Sequence, residues 1–181
     1  FHNGELRWKQ FMTALEADLV NRKTAIQHLI NEIISLNDIY MQTNQLIASG
    51  QLPIRLTHND TKITNILFDK KTNKVAAIVD WDTIMPNTIL SDFGDMIRTF
   101  CNSANEDETN LKLVNFRLDY FEALLNGFTN SLSDVLTKIE KDNLANGAFW
   151  ITYMQVIRFL IDYLNGDIYY NVVYTNHNLD R

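Results

Sequence analysis

One short stretch of the chain gathers side chains that can do chemistry together. It reads His58-Asn59-Asp60-Thr61-Lys62-Ile63-Thr64-Asn65, and Asp80 follows fifteen residues after Asn65. Asp60 and Asn65 stand five apart in a loop before an extended segment, and Asp80 ends the next such segment. A carboxylate and an amide oxygen form a hard-oxygen pair suited to Mg²⁺, which keeps several waters and takes further oxygens from phosphates. With Asn65 and Asp80 as that pair, Asp60 is free to accept a proton from a hydroxyl. The Lys62 ammonium can then neutralise a phosphate in transfer. A base, a metal bridge and charge neutralisation are the parts phosphoryl transfer needs. Asp and Asn are also ordinary turn formers, so Asp-x-x-x-x-Asn alone says little. The whole pattern, His-x-Asp-x-Lys-x-x-Asn followed by a hairpin and Val79-Asp80, carries the reading.

The elements that must hold these groups can be read from periodicity. The first 50 residues are helical, with Leu15, Leu19, Ile26, Leu29, Ile30, Ile33, Ile34 and Leu36 at three- and four-residue spacings. Asn21-Arg22-Lys23-Thr24 divides two helices, Thr24 being the candidate N-cap, and Ser49-Gly50 is the stop. Residues 52–57 are extended. Residues 63–69 and 75–79 are apolar, β-branched runs around the polar turn Lys70-Lys71-Thr72-Asn73-Lys74, a hairpin whose Gly-free turn asks for a longer loop. Such a hairpin brings Asn65 and Asp80 to one end. After Pro86-Asn87 the helical period returns. Helices are expected over 92–102 and 111–128, the latter with an apolar stripe of Leu113, Phe116, Tyr120, Leu124 and Phe128. The acidic run 105–108 is expected to be solvated and able to cap the next helix, and Ser133 or a near neighbour to open a helical region reaching Leu164. Residues 149–164 are apolar nearly all round and should be buried. The fold class is therefore α+β, mostly α-helical, with a small central β-hairpin. Residues 1–50 are helical, 51–86 hold the loop and hairpin, and 87–181 are helical.

Composition narrows the field. The chain has 181 residues, 46 % of them hydrophobic and 21 % charged, which suits a folded domain or one lobe of a larger protein. A net charge of −6 argues against a nucleic-acid partner. A single cysteine, Cys101, excludes a disulfide framework and fits a packed thiol in a reducing, cytoplasmic setting. No run of 18 apolar residues is present, and Phe1-His2-Asn3-Gly4 lacks the pattern of a secretory leader, so neither a membrane span nor a membrane partner is expected.

The segment from His58 to Asp80 resembles the catalytic loop and metal-binding strand end of kinase-fold small-molecule phosphotransferases, the aminoglycoside phosphotransferase and choline kinase-like superfamily. The resemblance implies that Asp60 is the catalytic base, that Asn65 and Asp80 bind Mg²⁺, and that ATP is the phosphoryl donor. Most aminoglycoside phosphotransferases carry His where this chain has Lys62; protein kinases have Lys there, contacting the γ-phosphate. Asp92-Phe93-Gly94 spells the protein-kinase metal motif, but it comes twelve residues after Asp80 and opens a helix. Asp92 is read instead as a cap that braces the loop, and His58 as ordering it. Further blocks resemble the N-acetylhexosamine 1-kinases: Val79-Asp80-Trp81-Asp82-Thr83-Ile84-Met85-Pro86, residues 91–98, residues 158–167 and His177-Asn178-Leu179-Asp180-Arg181. That likeness covers most of the chain from Leu56 onward and is weak before it. It implies a small-molecule sugar phosphorylated at its anomeric hydroxyl, with Arg158 and Tyr169 touching the sugar and Asp82 beside the active site. Without it, Arg158 pairs as well with Asp162 at i+4, and Tyr169 and Tyr170 serve equally in packing.

The six glycines fall at 4, 50, 94, 127, 147 and 166, too scattered for a phosphate-cradling loop. The expectation is thus a kinase-like C-terminal lobe whose nucleotide-covering N-terminal lobe lies outside this stretch. Alone it would turn over feebly or not at all and could self-associate through its exposed lobe interface. An aminoglycoside or amino-alcohol kinase, and a ligand-binding lobe without chemistry, are the rival readings.

Overall fold

The computed structural model describes residues 2–181. Helix α1 (Gly4–Ala17) starts where the Asn3 side-chain oxygen accepts the Leu6 N–H at 2.9 Å, satisfying one of the amides a helix start leaves orphaned. The polar stretch after it does separate helices, but Thr24 caps nothing. A 3₁₀ turn over Lys23–Ile26 leads into α2 (Gln27–Ser35) with no side-chain cap. The Asp18 carboxylate holds the corner, accepting the N–H groups of Arg22 and Lys23. A further helix, α3 (Asn37–Ala48), follows a break at Leu36 that sequence periodicity runs straight through, because Leu36 keeps near-helical angles.

Two small antiparallel sheets sit in the centre. Strand β1 (Arg55–Thr57) pairs with β4 (Met85–Asn87), Leu56 lying opposite Pro86. Strand β4 was not foreseen from its sequence; its Pro is tolerated because each strand of a two-stranded sheet is an edge. Strand β2 (Ile66–Phe68) pairs with β3 (Val75–Ile78) as the expected hairpin. Its six-residue loop, 69–74, is built on Asp69, which accepts the N–H groups of Lys71 and Thr72, with Asn73 at φ 54° where a glycine would be usual. Residues 63–65, expected in the strand, form a 3₁₀ turn instead.

Helix α4 (Leu90–Phe100) crosses α7 (Leu144–Leu164) closely. Glycines make the crossing possible: a Cβ on Gly94 would stand 2.4 Å from the Gly147 carbonyl oxygen. Helix α5 (Leu118–Ser131) begins seven residues later than its stripe suggests. Residues 113–116 pair with Ser103 instead, through Ser103 N–H to Asn115 O, Ser103 Oγ to Leu113 O and a bridge from Asn102 to Phe116. Leu113 and Phe116 are exposed in consequence, while Leu124 and Phe128 pack on the core. The acidic run caps no helix: Glu106 pairs with Arg98 and Asp107 with His177. Ser133 caps nothing either. Helix α6 (Lys138–Asp142) is opened by a reciprocal capping box of Thr137 and Glu140. Fully buried Glu140 also takes Arg55 in two hydrogen bonds of 2.6 and 2.8 Å, tying β1 to α6. Short helix α8 (His177–Asp180) ends the chain.

Helix α7 is the axis of the molecule. It is long and apolar enough to cross a membrane by length and composition, which the count of apolar runs did not register. Here its apolar side chains are the core. Trp150, Met154 and Ile157 pack with Phe11 of α1, Ile30 of α2 and Tyr40 of α3. A second cluster joins Leu90, Phe93 and Ile97 of α4 to Leu52, Leu144 and the buried Cys101. Polar tips inside find partners: Trp150 Nε1 donates to Asn44 Oδ1, Tyr153 to the Ile33 carbonyl and Tyr40 to the Gly4 carbonyl.

Candidate active site

The loop 58–65 is hung between the two small sheets and the start of α4. Asp92, in the first turn of α4, accepts the N–H of His58 at 2.9 Å and of Asn59 at 2.7 Å. Its partners are thus loop amides, not those of its own helix. Burial pushes the Asp92 carboxyl above the usual range, and these two hydrogen bonds pull it back. Thr61 Oγ1 donates to the Asp92 carbonyl and Thr83 Oγ1 to the His58 carbonyl, both at 2.6 Å. The His58 ring reaches the Val79 carbonyl through Nε2 at 3.1 Å.

Asn59 escaped the sequence reading and is the hub of the loop. It is buried at φ 63°, a conformation Asn tolerates better than most residues. Its Oδ1 accepts from Asn87 Nδ2 at 2.8 Å and Ser91 Oγ at 3.0 Å; its Nδ2 donates to the Thr57 and Thr83 carbonyls. Its own carbonyl accepts from His2 Nε2 at 2.8 Å. The only sequence signal for this role is an Asn at a tight corner.

This frame presents Asp60 toward Lys62 and Asn65. Lys62 Nζ lies 2.7 Å from Asp60 Oδ2 and 4.0 Å from Asp80 Oδ2, and Asn65 Nδ2 lies 3.0 Å from Asp60 Oδ2. Asn65 is buried and also donates to the Asp60 carbonyl. The hairpin places Asn65 and Asp80 at one end, since the Val79 N–H donates to the Asn65 carbonyl at 3.0 Å. Asp80 follows at φ 65°, leaving the strand sharply into a 3₁₀ turn over Trp81–Thr83. Asp60, Lys62, Asn65 and Asp80 therefore form one contiguous polar group. With Nδ2 committed to Asp60, Oδ1 is the Asn65 atom left for a cation, and with the exposed Asp80 carboxylate it makes an all-oxygen donor pair that fits Mg²⁺. No group of three or more His, Cys, Asp or Glu side chains able to hold a metal occurs among the described residues. A metal here would therefore keep most of its ligands as water or phosphate. Asp82 is exposed in the turn after Asp80.

Arg158 and Tyr169 are not brought into that group. They line a cavity of about 620 Å³ between α1, the end of α7 and residues 168–170. A second cavity, of about 590 Å³, has Lys62, Ile63 and Thr64 on one wall and Thr152, Gln155 and Phe159 on another. Gln155 joins the two, accepting from Arg158 Nη1 at 3.0 Å and donating to the Tyr170 hydroxyl at 3.2 Å. Asp162 spends its carboxylate on backbone amides, accepting the N–H groups of Ile168, Tyr169 and Tyr170 and the side chain of Asn178. It thereby fixes the tyrosine loop. A link to loop 58–65 runs through His2, whose ring is pushed down to about 4 by burial, with Arg158 adding to the effect.

The sequence model of the phosphotransferase enzyme family (APH) matches residues 4–129. That span holds α1, both sheets and all of Asp60, Lys62, Asn65, Asp80 and Asp92, and stops before α7. The chain belongs to the phosphotransferase enzyme family, a class of kinase-type enzymes that generally use ATP and Mg²⁺.

Proposed function

We propose that the chain is the acceptor-side, C-terminal lobe of an ATP-dependent kinase that phosphorylates the anomeric hydroxyl of an N-acetylhexosamine. The observation that carries the phosphotransfer assignment is the polar group itself. The Asp60 carboxylate is held by Lys62 and Asn65, and Asp80 stands at the same end of the hairpin as Asn65. In this reading Asp60 takes the proton of the acceptor hydroxyl as its oxygen bonds to the γ-phosphorus. The bond from that phosphorus to the β–γ bridging oxygen breaks, and ADP leaves. Lys62 neutralises charge on the phosphoryl oxygens. Asn65 Oδ1 and Asp80 would hold Mg²⁺, which when bound offsets charge on the β- and γ-phosphates. The positive φ of Asn59 and Asp80 suits a site where backbone strain is retained for geometry.

The sugar assignment rests on the blocks shared with N-acetylhexosamine 1-kinases, with Arg158 and Tyr169 as acceptor contacts and Asp82 at the rim. Support comes from the charge in the α1–α7 cavity: Arg7, Lys9 and Arg158 line it, which disfavours a cationic aminoglycoside or choline. The nucleotide cover is proposed to be a separate lobe of the same protein, seated on the hairpin. Leu67, Phe68, Val75, Ile78 and Trp81 stand exposed there beside the site. The test is an acceptor screen in the intact protein with ATP and Mg²⁺, covering N-acetylglucosamine, N-acetylgalactosamine, kanamycin and choline. Transfer to the acetamido sugars is expected; transfer only to the amines would overturn the assignment.

A further inference from the structure

The cavity between α1 and the end of α7 is unusual for this protein in its charge. The chain carries a net −6, yet three cations, Arg7, Lys9 and Arg158, line this cavity. Its one carboxylate, Asp162, is already occupied by the amides of the tyrosine loop. Arg7 projects from α1 and donates from Nη1 to Gln10, but its Nε is buried without a hydrogen-bond partner among the described residues. A buried donor on a cation that meets no acceptor is costly unless a ligand supplies one. Burial, and after it the charge of Arg158, hold the Arg7 guanidinium below its ordinary range. The rest of the lining mixes apolar Leu6, Ile161 and Ile168 with the rings of Tyr169 and Tyr170. A volume of about 620 Å³ suits a substituted monosaccharide.

We propose that this cavity receives an acid group, a phosphate or a carboxylate, carried by the sugar acceptor, with Arg7 as its principal partner and Lys9 and Arg158 beside it. The planar guanidinium fork matches the paired oxygens of either group. The proposal deepens the acceptor reading above and rests on it: the preferred acceptor is an acidic N-acetylhexosamine derivative, bound more tightly than the neutral sugar.

Calorimetric titration of the chain with four probes tests it: N-acetylglucosamine, N-acetylglucosamine 6-phosphate, glucuronate and inorganic phosphate. The expected result is at least tenfold tighter binding of an acidic sugar than of N-acetylglucosamine. The phosphate and uronate arms show which acid group is preferred. Arg7→Gln should abolish the preference, and the milder Arg7→Lys should retain part of it. Lys9→Gln, on an exposed side chain, should weaken acidic sugars alone and guards against a folding defect at Arg7. Equal affinity for neutral and acidic sugars, or a preference untouched by Arg7→Gln, overturns the proposal while the hexosamine reading stands. Arg7-dependent binding of inorganic phosphate with no binding of any acetamido sugar upholds the anion site and overturns the hexosamine reading.

Discussion

Asn59 meets a partner with each of its polar atoms: Asp92 at its N–H, His2 at its carbonyl, Asn87 and Ser91 at Oδ1, and the Thr57 and Thr83 carbonyls at Nδ2. Replacing it by Ala removes several buried hydrogen bonds at about 1 kcal/mol each and puts Ala at positive φ. Asn59→Ala should therefore cost roughly 3 kcal/mol in denaturant unfolding, and a loss below about 1 kcal/mol would refute the hub role. His2 adds a pH dependence. Its folded value of about 4 lies below the ordinary 6.5, so between those values the unfolded chain holds the proton and the folded chain does not. The stabilisation is complete above pH 6.5 and is lost as pH falls toward 4, at most roughly 3 kcal/mol. His2→Gln keeps a donor for the Asn59 carbonyl and removes that titration. Its stability should fall less steeply from pH 6.5 to 4, and an unchanged slope would count against the buried, neutral ring. The types and spacing of Asp60, Lys62, Asn65 and Asp80 were legible because all lie in the loop that enters one short hairpin and at its exit. The Asn59 and His2 roles were not, since their partners stand from two to 57 residues away and only the folded chain assembles them.

At the scale of elements, the crossing of α4 and α7 fixes where Asp92 meets the loop. Gly94→Ala would drive a Cβ into the Gly147 carbonyl at 2.4 Å, backbone against backbone, and should cost at least about 2 kcal/mol. Gly127, inside α5 with open space around its Cβ position, is the contrasting case: Gly127→Ala should stabilise by roughly 0.5–1 kcal/mol. Thermal melts of the two variants check both, and equal effects would contradict the close crossing. Long apolar periods made α1, α4 and α7 readable from the chain. The elements misread were those decided by distant pairing. Residues 113–116 look helical by period but bond to Ser103, and β4 exists because Arg55, Leu56 and Thr57 lie opposite it. The helix before α7 opens at Thr137, four residues beyond Ser133, where the capping box with Glu140 is a local signal that settles which neighbour caps it.

For the whole molecule, two apolar clusters share α7, and the polar group sits on a loop braced by Asp92 and beside a hairpin whose outer surface is apolar. That arrangement suits a lobe that receives a nucleotide lobe on the hairpin and an acceptor beside α7. The central claim is that Asp60 takes the acceptor's proton. It is tested most directly by steady-state phosphoryl transfer from ATP to the acceptor in the intact protein, with Asp60 and with Asp60→Asn. The account predicts a fall in kcat of at least about a hundredfold, with the melting temperature and the KM for ATP little changed. Turnover retained within a few-fold would contradict it.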